Sequence, residues 1–183
     1  MRVQGGGSKG KKLAFRSRRG LRPTSSKVKG AIFNILANSI LEANFLDLYA
    51  GTGGVGIEAL SRGAKLCVFV EKSRTNAQLI KENLERTKFK GLVLVKDVSS
   101  ALSLLKRQGY SFNLVFMDPP YEKGLVTETL RKLAIGGCLA KDAIILAEHS
   151  IRESVSPVEG FEQVRQYKYG DTILSLFLWK GTQ

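Results

Sequence analysis

The 183-residue chain is 43% hydrophobic and 25% charged, the composition of a soluble globular protein with a full core. No apolar run approaches the roughly 20 residues of a membrane span, and the polar, glycine-rich stretch 1–22 has no signal-peptide core, so a cytoplasmic protein with no membrane partner is expected. Cys67, Cys138 and His149 lack the spacing of a zinc site, so no metal is expected and a reducing compartment fits the cysteine usage.

The net charge of +13 is unevenly placed. Ten basic residues and no acidic one fall between Met1 and Leu41, and the remainder holds 19 basic against 16 acidic residues. A localised basic arm is the footprint of a polyanion partner. Its candidate contacts are Lys9, Lys11, Lys12, Arg16, Arg18, Arg19, Arg22 and Lys27. Within the arm, Arg2–Gln4 and Lys12–Phe15 read as two short strands around the turn Gly5–Gly10. Gly20–Thr24 is a breaker, after which Thr24 or Ser25 can cap a helix. Val28, Ala31, Ile32, Ile35, Leu36 and Ile40 fall on one face of that helix. Lys27 and Lys29 stand in its first turn against the helix dipole, a local cost that an anionic ligand or solvent would offset.

From Asn44 onward strands and helices alternate. Strands are expected at Phe45–Tyr49, Leu66–Val70, Leu92–Val95, Asn113–Met117 and Ala143–Glu148. Helices are expected between them at Gly56–Arg62, Ser73–Arg86, Ser99–Arg107 and Val126–Ala134. This rhythm belongs to a parallel sheet covered on both faces. Phe161–Lys168 and Thr172–Trp179 leave no room for a helix between them and read as a hairpin around Gly170-Asp171. The expected fold class is α/β: a Rossmann-like, mostly parallel seven-stranded sheet ending in an antiparallel hairpin, preceded by a small hairpin-and-helix extension. Residues 1–43 form that basic extension and 44–183 the catalytic domain, the whole making one compact domain.

The first strand runs into Asp47-Leu48-Tyr49-Ala50-Gly51-Thr52-Gly53-Gly54-Val55-Gly56. Gly51, Gly53 and Gly56 give Gly-x-Gly-x-x-Gly, which lets a ligand cross bare backbone and face a helix N-terminus. Dinucleotide sites share this pattern. Glu71, twenty residues after Gly51, ends the second strand, where a carboxylate can accept both ribose hydroxyls. Asp97 ends the third, where it can meet an adenine amino group or cap the next helix.

Asp118-Pro119-Pro120-Tyr121 follows the fourth strand and so shares the ligand-binding edge with the glycine loop. The exocyclic amino group of a base is a poor nucleophile because its lone pair is delocalised. The Asp118 carboxylate and the Pro119 carbonyl can accept its two N–H bonds and favour a pyramidal nitrogen. Pro120 brings no N–H to compete for a carbonyl, and Tyr121 offers a face for an unstacked base. His149, the sole histidine, is expected to be structural or solvent-exposed rather than a general base.

These residues resemble the bacterial small-subunit ribosomal RNA guanine-N2 methyltransferases of the RsmD type. The resemblance rests on Gly6–Leu13, Leu21–Val28, Phe33–Leu36, Leu46–Ala64 with its Glu58-Ala59-Leu60-Ser61-Arg62-Gly63-Ala64 run, Asp118–Tyr121 and Tyr169–Thr172. It implies transfer of a methyl group from S-adenosylmethionine to the N2 of one guanine in 16S-type ribosomal RNA, within an assembled or partly assembled small subunit, by a monomer. It further implies that Asp47, Tyr49, Gly51, Gly53 and Gly56 hold the methionine side of the cofactor, Glu71 the ribose and Asp97 the adenine, and that the basic segment with Arg22 holds RNA. Tyr49 and Gly54 stand where Phe and Ala are more usual in that family, and some relatives have Phe at 121, which favours stacking over hydroxyl chemistry. Three other readings use part of the same residues. An adenine-N6 methyltransferase would share the tetrapeptide, an NAD-dependent oxidoreductase would share the glycine loop and Glu71, and a non-enzymatic RNA-binding protein would account for the charge alone.

Overall fold

A computed structural model describes residues 1–15 and 25–181. Its strands are β1 (Asn44–Leu48), β2 (Leu66–Val70), β3 (Leu92–Leu94), β4 (Phe112–Met117), β5 (Leu139–Ser150), β6 (Phe161–Tyr169) and β7 (Thr172–Trp179). They form one seven-stranded sheet in the order β3-β2-β1-β4-β5-β7-β6. β1 to β5 pair parallel, and β7 joins β5 and β6 antiparallel. This is the sheet expected from the sequence.

Alternate residues of the strands feed two cores. Phe45, Cys67, Phe69, Leu114 and Phe116 face α1 (Ser26–Ile35), α2 (Gly54–Ser61) and α3 (Arg74–Thr87). Leu46, Leu48, Val68, Val70, Val115 and Met117 face α4 (Val98–Arg107) and α5 (Leu125–Gly136). With both faces covered, the strands read as continuous apolar runs.

Several boundaries differ from expectation: the first helix stops at Ile35, with a 3-10 turn at Ala37–Ser39 before Ile40, and three others differ for local reasons. β5 begins at Leu139 rather than Ala143, because it runs through exposed Lys141-Asp142, with Asp142 at φ 55°, to pair Leu139 with Phe112. β3 stops at Leu94, beyond which Val95 is exposed. The two N-terminal strands reduce to a single bridge, Arg2 to Lys12, around a 3-10 turn at Gly6–Ser8. Ser25 caps α1, its side chain accepting from the Val28 N–H. The alternative cap Thr24 and the breaker Gly20–Thr24 lie outside the described residues.

The extension is built into the first core. Val3, Leu13, Val28, Ala31, Ile32 and Phe33 are buried in the same cluster as Ile57 and Phe69. A buried carboxylate fastens it. Glu58, fully buried on α2, accepts from the backbone N–H groups of Gln4 (2.8 Å) and Gly5 (2.7 Å). The same carboxylate meets Arg62 Nε at 3.0 Å and Lys29 Nζ at 3.1 Å. Lys29 therefore does not serve an anionic ligand or solvent, as its place in the first turn had suggested. It is 2% exposed, and it also donates to the Arg2 carbonyl at 2.6 Å. Ser61 on the same helix accepts from the Ser8 N–H and donates to the Gly5 carbonyl. Gly6, at φ 71°, lies where any Cβ would strike the Ser61 carbonyl.

Glu58→Gln leaves the Lys29 ammonium buried without its counter-charge. The expected loss is about 3–5 kcal/mol of stability, read as a shift in denaturant midpoint. Combining it with Lys29→Met should recover much of that loss.

Candidate active site

The glycine loop owes its shape to two carboxylates. Asp47, buried near the end of β1, accepts from the Gly56 N–H at 2.9 Å and so holds the N-terminal turn of α2. Glu71, just past β2, accepts from the Gly51 N–H at 2.9 Å and from the Ser73 N–H at 2.7 Å. Gly51 and Gly53 have positive φ, and Gly53 is the cap of α2. At Gly56 a Cβ would lie 2.3 Å from the Phe69 ring and 2.7 Å from Cys67 Sγ, so helix and strand approach closely only without a side chain. The space in front of Gly51 is open, with no atom closer than 3.9 Å to a would-be Cβ.

Tyr49 takes a left-handed conformation (φ 59°), and its hydroxyl meets Thr129 of α5 at 2.7 Å. That bond ties the loop to the opposite helical layer. Gly54 is matched to the chain's own start, since a Cβ there would come within 2.7 Å of the Met1 Cε. The arm also reaches the loop. Asn83, fully buried on α3, accepts from the Ala14 N–H at 2.6 Å. Its amide donates to the Ala14 and Thr52 carbonyls, each at 3.1 Å.

Asp118 follows β4 directly, with Pro119 buried and Pro120 and Tyr121 exposed. The Tyr121 hydroxyl donates to Glu148 Oε1 at 3.0 Å and lies 3.5 Å from the Thr172 hydroxyl in the β6–β7 hairpin. Burial and the neighbouring Glu148 and Asp47 hold the Asp118 carboxyl well above the usual carboxylate range. Burial raises Glu148 as well. Asp47 is pushed up to about 8 by burial and by the Glu71 charge, against the opposing Gly56 N–H. Among the described residues, the edge is thus a cluster of carboxylates short of positive charge. Such a cradle fits a ligand that brings a cation, such as the sulfonium and ammonium of S-adenosylmethionine. Glu71 retains lone pairs on both oxygens for ribose hydroxyls.

Comparison with known proteins decides the family. A family model described as "Conserved hypothetical protein 95" matches residues 1–178. "Ribosomal RNA small subunit methyltransferase D" of Escherichia coli strain K12 is 38% identical over 158 residues, covering 86% of this chain and 79% of that one. "Putative rRNA methyltransferase YlbH" of Bacillus subtilis is 36% identical over 186 residues, 99% of this chain and 100% of that one. The solved structure titled "Putative methyltransferase yhhF from Escherichia coli" superposes with a TM-score of 0.88 at 33% identity, covering 100% of this chain and 99% of that one.

The chain belongs to the RsmD-like methyltransferase family. The sheet order is that of S-adenosylmethionine-dependent methyltransferases. Within an RsmD-like chain the family-specific runs acquire physical reasons. Glu58, Ser61 and Arg62 of the Glu58–Ala64 run fasten the basic extension. The Tyr169–Thr172 turn brings Thr172 to Tyr121.

Asp47, Gly51, Gly53, Gly56, Glu71, Asp118, Pro119, Pro120 and Tyr121 converge along one edge of the sheet. Asp97 is exposed and caps α4, with Oδ1 accepting from the Ser100 N–H and Oδ2 from its hydroxyl. Lys9, Lys12 and Lys27 are exposed. Lys11 is exposed too, but donates to the Thr87 carbonyl at 3.2 Å. Arg16, Arg18, Arg19 and Arg22 lie outside the described residues. His149 is structural: buried, it donates from Nδ1 to the Ser150 carbonyl, and its Nε2 shares a hydrogen bond with the Ser175 hydroxyl at 2.8 Å. Sequence reasoning passed over Glu148 and Asn83. Glu148 had a usable signal, as a carboxylate closing a strand beside the Asp118 strand. Asn83, a polar residue in an amphipathic helix, had none.

The raised carboxyls give stability a definite pH dependence. Asp47 ionises at about 8 in the folded chain and near its ordinary 3.8 when unfolded. Between those values the native state holds the extra proton, so stability falls as pH rises through the window. Denaturant midpoints should therefore decline from about pH 5 to pH 8, and Asp47→Asn should flatten the decline.

Proposed function

We propose that this RsmD-like chain, acting as a monomer, transfers a methyl group from S-adenosylmethionine to the exocyclic N2 of a guanine in small-subunit ribosomal RNA. The observation that carries the reading is the placement of Asp118-Pro119 at the end of β4, beside the glycine loop and within electrostatic reach of Asp47 and Glu148. The relatives named for ribosomal RNA support the substrate class.

When bound, the cofactor supplies an electrophilic methyl group and departs as the thioether. The chain does the rest. Asp47, Tyr49, Gly51, Gly53 and Gly56 shape the cradle for its methionine side, Glu71 accepts from the ribose, and Asp97 stands at the adenine end. Asp118 and the Pro119 carbonyl hold the two N–H bonds of the amino group, so its lone pair points at the methyl carbon. That nitrogen would take the methyl group the cofactor supplies and carry a surplus proton. The nitrogen then loses its surplus proton to water. Tyr121 stacks the unstacked base, and the exposed basic residues of residues 1–43 hold the RNA backbone.

The test is transfer of radiolabelled methyl to small ribosomal subunits that lack the modification, followed by nucleoside analysis. Label in N2-methylguanosine supports the reading. Label only in N6-methyladenosine, or only in DNA, overturns it. Asp118→Ala should cut the transfer rate by at least about 10²-fold while calorimetry shows cofactor affinity little changed.

Affinity for RNA should depend strongly on salt. If the basic arm meets about five phosphates, log K should fall against log salt with a slope of roughly −3.5. A flat response removes the arm from the binding surface.

A further inference from the structure

The Asp118-Pro119 pair accounts for an amino group but does not choose the base that carries it, since adenine and guanine both offer two amino hydrogens. The structure places one more acceptor beside that pair. Met117 and Ala147 are register partners in the parallel β4–β5 ladder, so Asp118, just past β4, and Glu148, within β5, stand side by side. Glu148 is 4% exposed. Its Oε1 is held by the Tyr121 hydroxyl at 3.0 Å. Among the described residues its Oε2, though buried, has no hydrogen-bond partner. Buried carboxylate oxygens are almost always paired, so this one calls for a donor that arrives with a ligand.

The chemistry of the two bases separates them at this point. Next to its N2 amino group guanine carries N1–H, a donor on the same edge. Next to its N6 amino group adenine carries a bare N1, an acceptor. With Asp118 and Pro119 taking the two amino hydrogens, the remaining donor on the guanine edge is N1–H, and it needs an acceptor beside the tetrapeptide. A carboxylate oxygen there attracts N1–H and repels the lone pair of an adenine N1.

We propose that Glu148 is the specificity-determining residue of this site, its Oε2 accepting from the guanine N1–H while the Tyr121 hydroxyl fixes the carboxylate through Oε1. The inference rests on the proposed methylation of a guanine amino group. It gives the Tyr121 hydroxyl a role separate from stacking: orienting the residue that reads the base.

The test uses 2-aminopurine, which keeps the amino group at C2 but has a bare N1 and no O6. Small subunits are reconstituted with either guanine or 2-aminopurine at the target position, and methyl transfer is measured with the full chain. The unmodified enzyme should prefer guanine by about 10- to 100-fold in kcat/KM. Glu148→Gln can turn its amide to present either an acceptor or a donor. It should lower the rate on guanine, raise the rate on 2-aminopurine, and bring the preference within about 3-fold, since a single hydrogen bond to a charged acceptor carries the discrimination. Loss of O6 affects both enzymes alike, so the change in preference isolates the N1 contact.

A Gln variant that keeps the full preference overturns the role of Glu148. If that variant melts too low to assay, Glu148→Asp withdraws the carboxylate and keeps its charge. It should slow methylation of guanine and, by easing the repulsion of the bare N1, speed that of 2-aminopurine; equal slowing of both overturns the inference. Absence of N2-methylguanosine from the reaction of unmodified enzyme with ordinary subunits overturns the guanine reading itself, an outcome distinct from either of these.

Discussion

The parallel register of four neighbouring strands sets the chemistry of this molecule. Leu48 pairs with Val70 on one side and with Met117 on the other, and Met117 pairs with Ala147. The residues that follow those positions, Tyr49, Glu71, Asp118 and Glu148, therefore emerge at one level along the sheet edge. Parallel pairing makes every C-terminal end open on the same side. Three carboxylates from three strands are thereby forced together, with Asp47 just beneath them. Burial raises Asp47, Asp118 and Glu148 above the ordinary carboxylate range, and neighbouring charge adds to it at Asp118, from Glu148 and Asp47, and at Asp47, from Glu71. Strain of this kind suits a site whose natural occupant is positively charged.

A second constraint joins the polyanion-facing end of the chain to this acidic edge. Lys9, Lys11 and Lys12 sit on a turn held through Glu58, Ser61 and Asn83. Asn83 touches both Ala14 of the arm and Thr52 of the glycine loop. Displacing the arm would leave Asn83 and Glu58 with unmet buried hydrogen-bonding groups, so arm and loop are held as one rigid unit. The family-specific run from Glu58 to Ala64 is thus the anchorage of the basic extension rather than part of the cofactor cradle.

Much of this was legible in the sequence because the two strongest signals are local. Continuous apolar runs marked the parallel strands, and Gly-x-Gly-x-x-Gly with Asp118–Tyr121 marked the edge where ligands meet. What the sequence hid depends on pairing at a distance. Lys29 looked solvated because its partner, Glu58, is 29 residues away on another helix. β5 looked shorter because Lys141-Asp142 broke its apolar run, although the strand bulges through them and pairs with β4 on both sides of the bulge. Asp97 was legible in both of its readings, and the geometry shows it engaged as a helix cap. Glu148 stood next to the histidine that drew attention, and only the register with β4 reveals it as the neighbour of Asp118.

The two ends of the charge distribution explain each other. An acidic cleft repels RNA, so an enzyme that seats a cationic cofactor among carboxylates needs positive charge elsewhere to hold a polyanion. Spreading that charge over the sheet edge would neutralise the cleft. In the sequence it is instead concentrated in residues 1–41, which contain no acid. Glu58 is the hinge of this arrangement. It spends one carboxylate on Lys29 and Arg62 inside the fold, and with the same oxygens grips the backbone of the arm. The lysines of the turn are then left exposed at a fixed position relative to Asp118. On the proposed reading, a base drawn from RNA held there would have to reach the cleft from that fixed position, so the anchorage of the arm would bear on which nucleotide arrives at the tetrapeptide.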